Sequence, residues 1–201
     1  MLNDLVIRTA LDARLNRRFE HDADTIIRHE LGVESGGSRV DVAVLNGHLT
    51  GWEIKSDVDT LVRLPNQATS FSRVMDYMTI VTTGKYLDRA AILLPAWWGL
   101  MEAVPSPHGV RLVSRRSPHI NRSTDSFCLA QLLWREEAME ELRTRGNARG
   151  LSSSSRYFVW ERLAQSIPKK QLRSVVLNRL KQRRQWSGGQ LPAQSDDSSR
   201  K

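Results

Sequence analysis

The stretch from Arg39 to Lys55, RVDVAVLNGHLTGWEIK, constrains the fold more tightly than any other part of the chain. Its two apolar runs flank Asn46-Gly47, a strong short-range signal for an antiparallel hairpin. Asp41 lies on the first arm, and Glu53 and Lys55 on the second. Charges set among Val, Ile and Trp are costly unless they face one another or a bound ion. Strand side chains alternate faces, so Glu53 and Lys55 share one face and Ile54 takes the other. A two-residue turn would pair Asp41 with Trp52 and leave Glu53 on the far side. A three-residue loop, Leu45-Asn46-Gly47 with Gly47 left-handed, pairs Asp41 with Gly51 and makes Glu53 a same-face diagonal neighbour. A bulge at Gly51 acts similarly. The expectation is therefore a three-residue loop or a bulge, with both acids on one face.

Composition bounds the rest. At 201 residues the chain suits one well-buried domain plus an appendage. The single cysteine, Cys128 in FCLAQLLW, excludes an internal disulfide and reads as a core thiol in a reducing cytoplasm. No apolar run is long enough to span a bilayer, and residues 2–18 read as an amphipathic helix rather than a signal peptide. A formal net charge of +8 points to a polyanionic partner. His21, His29, His48, His108 and His119 lack the paired spacing of a zinc site. Walker and dinucleotide glycine motifs are absent, which excludes a nucleotide-driven motor.

Asp22 or Asp24 is positioned to cap a second helix over about 24–31, bearing Glu30 on or beside its apolar stripe. After the hairpin, Ser56 to Tyr77 reads as helical with a restart at Pro65, Asp57 and Asp59 being acids of its start. Met78–Thr82, Ala90–Leu94 and Val110–Val113 read as strands, with Gly84–Arg89 a short connection or helical turn. Residues 125–145 form one helix with Leu129, Leu132, Leu133 and Ala138 inward. The domain boundaries follow: a core over 1–145, a Gly/Ser/Arg-rich linker over 146–155, a basic helical appendage over 156–186 and a disordered tail over 187–201.

The order of helical Glu30, strand Asp41, strand Glu53 with Lys55, and helical Gln67 resembles the PD-(D/E)XK nuclease superfamily. WEIKSDVDTLVRLPNQ, LLPAWWG and LLWREE further resemble a small, mostly uncharacterised bacterial family within it. The resemblance covers about the first three-quarters of the chain and implies an α/β, restriction-endonuclease-like core: a central mixed sheet flanked by helices, here with a helical C-terminal appendage. Three strands usually precede the second helix in that superfamily. Only two are evident here, and the third is sought around Val33–Ser35. Val40 stands where the superfamily usually has proline.

The chemistry implied is divalent-metal-dependent hydrolysis of phosphodiester bonds, with DNA as the polyanion. Hard oxygen ligands suit Mg2+ or Mn2+. Asp41 and Glu53 supply carboxylates, the Ile54 carbonyl adds a backbone oxygen, and Glu30 completes the shell or holds a ligand water. Lys55 stands by the attacking water or a phosphate oxygen, and Gln67 orients Lys55 or a nucleotide. Lys169, Lys170, Arg173, Arg179, Lys181, Arg183 and Arg184 on the last helix, and Arg111, Arg115, Arg116 and Arg122 in a loop, are candidate phosphate contacts. The plainer readings are a solvated hairpin face with Lys55 in a surface ion pair, a solvated basic helix, and Trp97-Trp98 and Tyr77 as core aromatics. Two other functions stay open: a nucleic-acid-binding module that does not cleave, and a protein-interaction subunit with an acidic partner. A homodimer is compatible with all three.

Overall fold

Short β-branched and aromatic runs build a six-stranded sheet in chain order. Its strands are β1 (Ile26–Val33), β2 (Ser38–Leu45), β3 (Leu49–Lys55), β4 (Tyr77–Thr82), β5 (Gly99–Ser106) and β6 (Gly109–Arg116). The first three are antiparallel, β3-β4-β5 run parallel, and β6 returns antiparallel to β5. The helices are α1 (Asp4–Phe19), α2 (Leu64–Ser72), α3 (Gly84–Leu93), α4 (Ser126–Ala130), α5 (Arg135–Thr144), α6 (Arg156–Ser166) and α7 (Lys169–Gln182). The result is the mixed α/β architecture expected, a mixed sheet flanked by helices with further helices at the C-terminal end. The computed structural model describes residues 1–107 and 109–183; His108, Arg184 and the predicted tail at 187–201 lie outside the described residues.

One sheet face is covered by α1 through Ile7, Leu11 and Leu15, packed on Val42, Val44, Trp52 and Ile54. The opposite face carries a larger apolar cluster shared by α2 to α7. The segment 156–183, set apart by sequence as an appendage, packs into that same cluster through Val159, Trp160, Leu163, Leu172, Val176 and Leu180. Trp160 also donates to the Leu133 carbonyl. Trp98 and Cys128 are buried core residues, and burial pushes the Cys128 thiol up to about 12.

Several local expectations are corrected. The segment expected as a helix over 24–31 is β1, paired with β2 from Ile26↔Leu45 to Val33↔Ser38. Asp22 caps a turn instead of a helix, its carboxylate accepting from the Thr25 hydroxyl. This supplies the third strand before α2, upstream of Val33–Ser35, where Glu34–Gly36 form a 3-10 turn. The cross-strand ladder with β2 outweighs a helical spacing only a few residues long. Ala90–Leu94 is not a strand: Ala90 to Leu93 end α3, and the strand is β5. The expected helix over 125–145 breaks into α4 and α5. Helix α2 begins at Leu64, with Pro65 in its first turn where a missing N–H costs least.

Candidate functional site

The hairpin closes through the three-residue loop Asn46-Gly47-His48, with Gly47 at φ 92° and Leu45 opposite Leu49. The loop is three residues long as predicted but starts one residue later, so the register differs from the one expected. Ala43, not Asp41, faces Gly51, and continuing from Val42↔Trp52 sets Asp41 opposite Glu53. Gly51 needs no bulge: a Cβ there would strike the Met78 sulfur and stand 2.9 Å from Met75 Cε and Val40 Cγ1. On the outer side, the register of β1 with β2 sets Glu30 beside Asp41. Three neighbouring strands therefore carry Glu30, Asp41 and Glu53 abreast.

This row coincides with a kink. Glu30 is left-handed at φ 56°, and Leu31 and Val33 pack on the opposite face from Ile27. Val40 and Val42, two residues apart, likewise bury on opposite faces. The paired strands thus invert their alternation together at Glu30 and Asp41. Past Val42, the Asp41 carboxylate takes over the ladder's role, Oδ2 accepting the Ile54 N–H at 2.7 Å. In an extended strand the N–H and C=O of one residue point to the same side, so the Ile54 carbonyl also faces Asp41.

Glu53 is 1% exposed and makes two short contacts through one oxygen. Lys55 Nζ donates to Glu53 Oε1 at 2.5 Å, and Gln67 Nε2 donates to the same oxygen at 2.6 Å. Glu53 Oε2 and Gln67 Oε1 are buried acceptors without a hydrogen-bond partner. Burial pushes the Glu53 carboxyl up to about 7; the Asp41 charge adds to the rise, while Lys55 and Gln67 oppose it. The plain reading of Lys55 as a surface ion pair does not hold, because both side chains are buried.

These groups line a cleft of about 670 Å³ with Asp4, Ser38, Arg39, Asp59, Arg63 and Asn66. Arg8, from the second turn of α1, bonds to Asp4, to the Asp41 carbonyl and to Asp41 Oδ1. Glu30 is held between Arg8 at 3.4 Å and Arg39 at 3.3 Å. Asp4 and Arg8 escaped sequence reasoning; their i,i+4 spacing on α1 is visible, but nothing local reveals that the helix lands on the hairpin.

Among the described residues no group of three or more His, Cys, Asp and Glu stands close enough together to hold a metal ion. A Mg2+ or Mn2+ ion does not require one, since two carboxylates, a carbonyl and waters suffice. Two buried acceptors lacking a donor, Glu53 Oε2 and Gln67 Oε1, are the kind of surplus that a cation balances. Asp41, Glu53 and the Ile54 carbonyl are the hard oxygen donors that would hold such an ion, with Asp41 Oδ1 now bonded to Arg8 and Oδ2 to the Ile54 N–H.

The basic helix is placed differently. On α7, Lys169 donates to the Thr124 carbonyl, Arg173 meets buried Asp76 at 2.9 Å, and Arg179 bridges Glu140 and Glu141. Lys181 pairs with Asp24, and Arg183 pairs with Glu137 and lies over the Trp134 ring. Lys170 is exposed. Most of these cations hold the helix to the core. Arg111, Arg115 and Arg116, expected in a loop, are on β6, where Arg115 pairs with Glu102. Asp57 and Asp59 tie loops instead of starting a helix: Asp57 accepts from Leu2 N–H and the Thr83 hydroxyl, and Asp59 from Ser56.

Fold and site together define an α/β protein with a buried acid–lysine cleft at the end of an antiparallel hairpin. The chain belongs to the family of bacteriophage P4 protein cII, which it matches over residues 5–196. It is 26% identical over 163 residues to protein cII of Enterobacteria phage P4, covering 80% of this chain and 60% of that protein. It thus spans less than two-thirds of that relative's length. A protein of unknown function from Silicibacter pomeroyi superposes with a TM-score of 0.41 at 17% identity, over 73% of this chain and 96% of the other. Among the described residues no helix is long and apolar enough to cross a membrane.

Proposed function

We propose that the cleft hydrolyses phosphodiester bonds in DNA with a divalent ion, Mg2+ or Mn2+, and that the protein works in the cytoplasm. The observation that carries this reading is the convergence of Asp41, Glu53, Lys55 and Gln67 at one strand end, with Glu53 Oε2 unpaired. The order α1-β1-β2-β3-α2-β4, with three strands before the second helix as the superfamily of the resemblance usually has, supports the same reading.

When bound, the ion would lower the pKa of a ligand water and offset charge on the phosphate. Asp41 Oδ1, Glu53 Oε2 and the Ile54 carbonyl would hold it. The Gln67 Nε2 amide donates to Glu53 Oε1 and fixes that carboxylate in place. Lys55 shares that oxygen; turned toward the cleft, its ammonium would hold the attacking water or a phosphate oxygen. Burial of both side chains excludes bulk water and strengthens each contact. Glu30, paired with two arginines, would act through a ligand water rather than as a direct ligand.

A second reading, a DNA-binding module that does not cleave, is favoured by the lack of a three-residue metal cluster among the described residues. Labelled duplex and single-stranded DNA, incubated with the full chain in Mg2+ or Mn2+, separates the two. Metal-dependent cleavage lost in Asp41→Ala and Lys55→Ala supports the enzyme. Salt-sensitive binding without cleavage supports the module, and cleavage surviving in both variants refutes the assigned roles.

A further inference from the structure

Arg8, on α1, is bonded to three acids that line the cleft, and the hairpin's chemistry does not explain it. Its guanidinium stands among acids from one helix and two strands: Nε is 3.0 Å from Asp4 Oδ2, one terminal nitrogen 3.4 Å from Glu30 Oε1, and the other 3.3 Å from Asp41 Oδ1. The side chain is 20% exposed, so these pairs are partly shielded from solvent. Asp41 Oδ2 is already taken by the Ile54 N–H. The oxygen Asp41 has left to offer an ion is Oδ1, which Arg8 occupies.

We infer that Arg8 holds the place of the divalent cation at Asp41 and is exchanged for it, then presents its guanidinium to a substrate phosphate. The inference rests on the metal-dependent reading above. An ion ligated by Oδ1 at about 2.1 Å would stand against the arginine nitrogen now facing that oxygen, and like charges at that range repel. Arg8 has somewhere to go. Its Nε contact to Asp4 lies on its own helix, one turn back, and is the pivot for a swing that breaks the terminal nitrogens' bonds to the Asp41 carbonyl and to Asp41 Oδ1. A guanidinium freed on that pivot offers a planar donor fork matched to phosphate. While the cleft lacks an ion, the same arginine offsets the repulsion among Asp4, Glu30 and Asp41.

The test is Mn2+ titration of the full chain by electron paramagnetic resonance, comparing wild type with Arg8→Met, Arg8→Lys and Asp41→Asn. Exchange predicts about tenfold tighter Mn2+ binding in Arg8→Met, because the competing cation is gone, and loss of binding in Asp41→Asn. Arg8→Lys keeps the charge with fewer donors, is expected to fall between wild type and Arg8→Met, and carries the test if Arg8→Met does not fold. Duplex DNA binding in Ca2+ should weaken in Arg8→Met even as the ion binds better. Wild-type Mn2+ binding with equal or weaker binding in the Arg8 variants overturns the exchange and leaves the metal reading standing. Unweakened DNA affinity in Arg8→Met overturns the phosphate role. Absence of Mn2+ binding in every form overturns the metal reading and the exchange together.

Discussion

Glu53→Gln should stabilise the metal-free protein at alkaline pH. The Glu53 carboxyl is 1% exposed, and burial beside Asp41 raises it from an ordinary 4.5 to about 7. Below the lower value both folded and unfolded chains hold the proton, so the group contributes nothing to pH dependence. Between the two values the unfolded chain has lost the proton while the native chain retains it, and stability falls as pH rises. Above about 7 the native carboxylate is ionised in a buried site, and the accumulated cost is about 3 kcal/mol. Glutamine stays neutral throughout and still accepts from Lys55 and Gln67 through its carbonyl. Urea unfolding followed by tryptophan fluorescence at pH 5 and pH 8 reads the difference. The variant should gain on wild type between those pH values, with its midpoint about 1 M higher at pH 8. A gap between variant and wild type that does not change with pH would refute the reasoning.

Three further outcomes follow from packing and charge. Gly51→Ala should cost about 1–3 kcal/mol in chemical denaturation, because its Cβ would press on Met75, Met78 and Val40 under the hairpin. Asp76→Ala should cost about 3–5 kcal/mol in the same assay, since Asp76 is fully buried, accepts the Leu49 N–H and meets Arg173 of α7. Arg179→Glu should lower the melting temperature by breaking contacts to Glu140 and Glu141, whereas exposed Lys170→Glu should leave it within about 1–2 °C of wild type.

The sequence carried the hairpin because Asn46-Gly47 is a local signal and the acids stand out against apolar neighbours. It carried the need for an odd-length loop as well, because side-chain parity decides whether Asp41 and Glu53 meet. Local signals could not settle where the loop begins, since a start at Leu45 or at Asn46 brings both acids to one face. Strand β1 was hidden because Ile26, Ile27 and Leu31 fit a short helical stripe as well as a strand, and the deciding contacts lie with β2. The inversion of alternation at Glu30 and Asp41 was equally out of reach: it depends on a left-handed residue that is not glycine. Arg8 reaches Asp41 across 33 positions, and the α7 cations find their acids across still longer spans, so their partners were set by tertiary packing alone.

The most direct test of the metal-dependent cleft is a crystal of the protein soaked in Mn2+ and measured for anomalous scattering. The account predicts one peak within ligand distance, about 2.1–2.3 Å, of Asp41 Oδ1 and Glu53 Oε2, with Arg8 turned away from Asp41. A cleft with no peak, Arg8 still seated on Asp41 and Mn2+ bound elsewhere would contradict it.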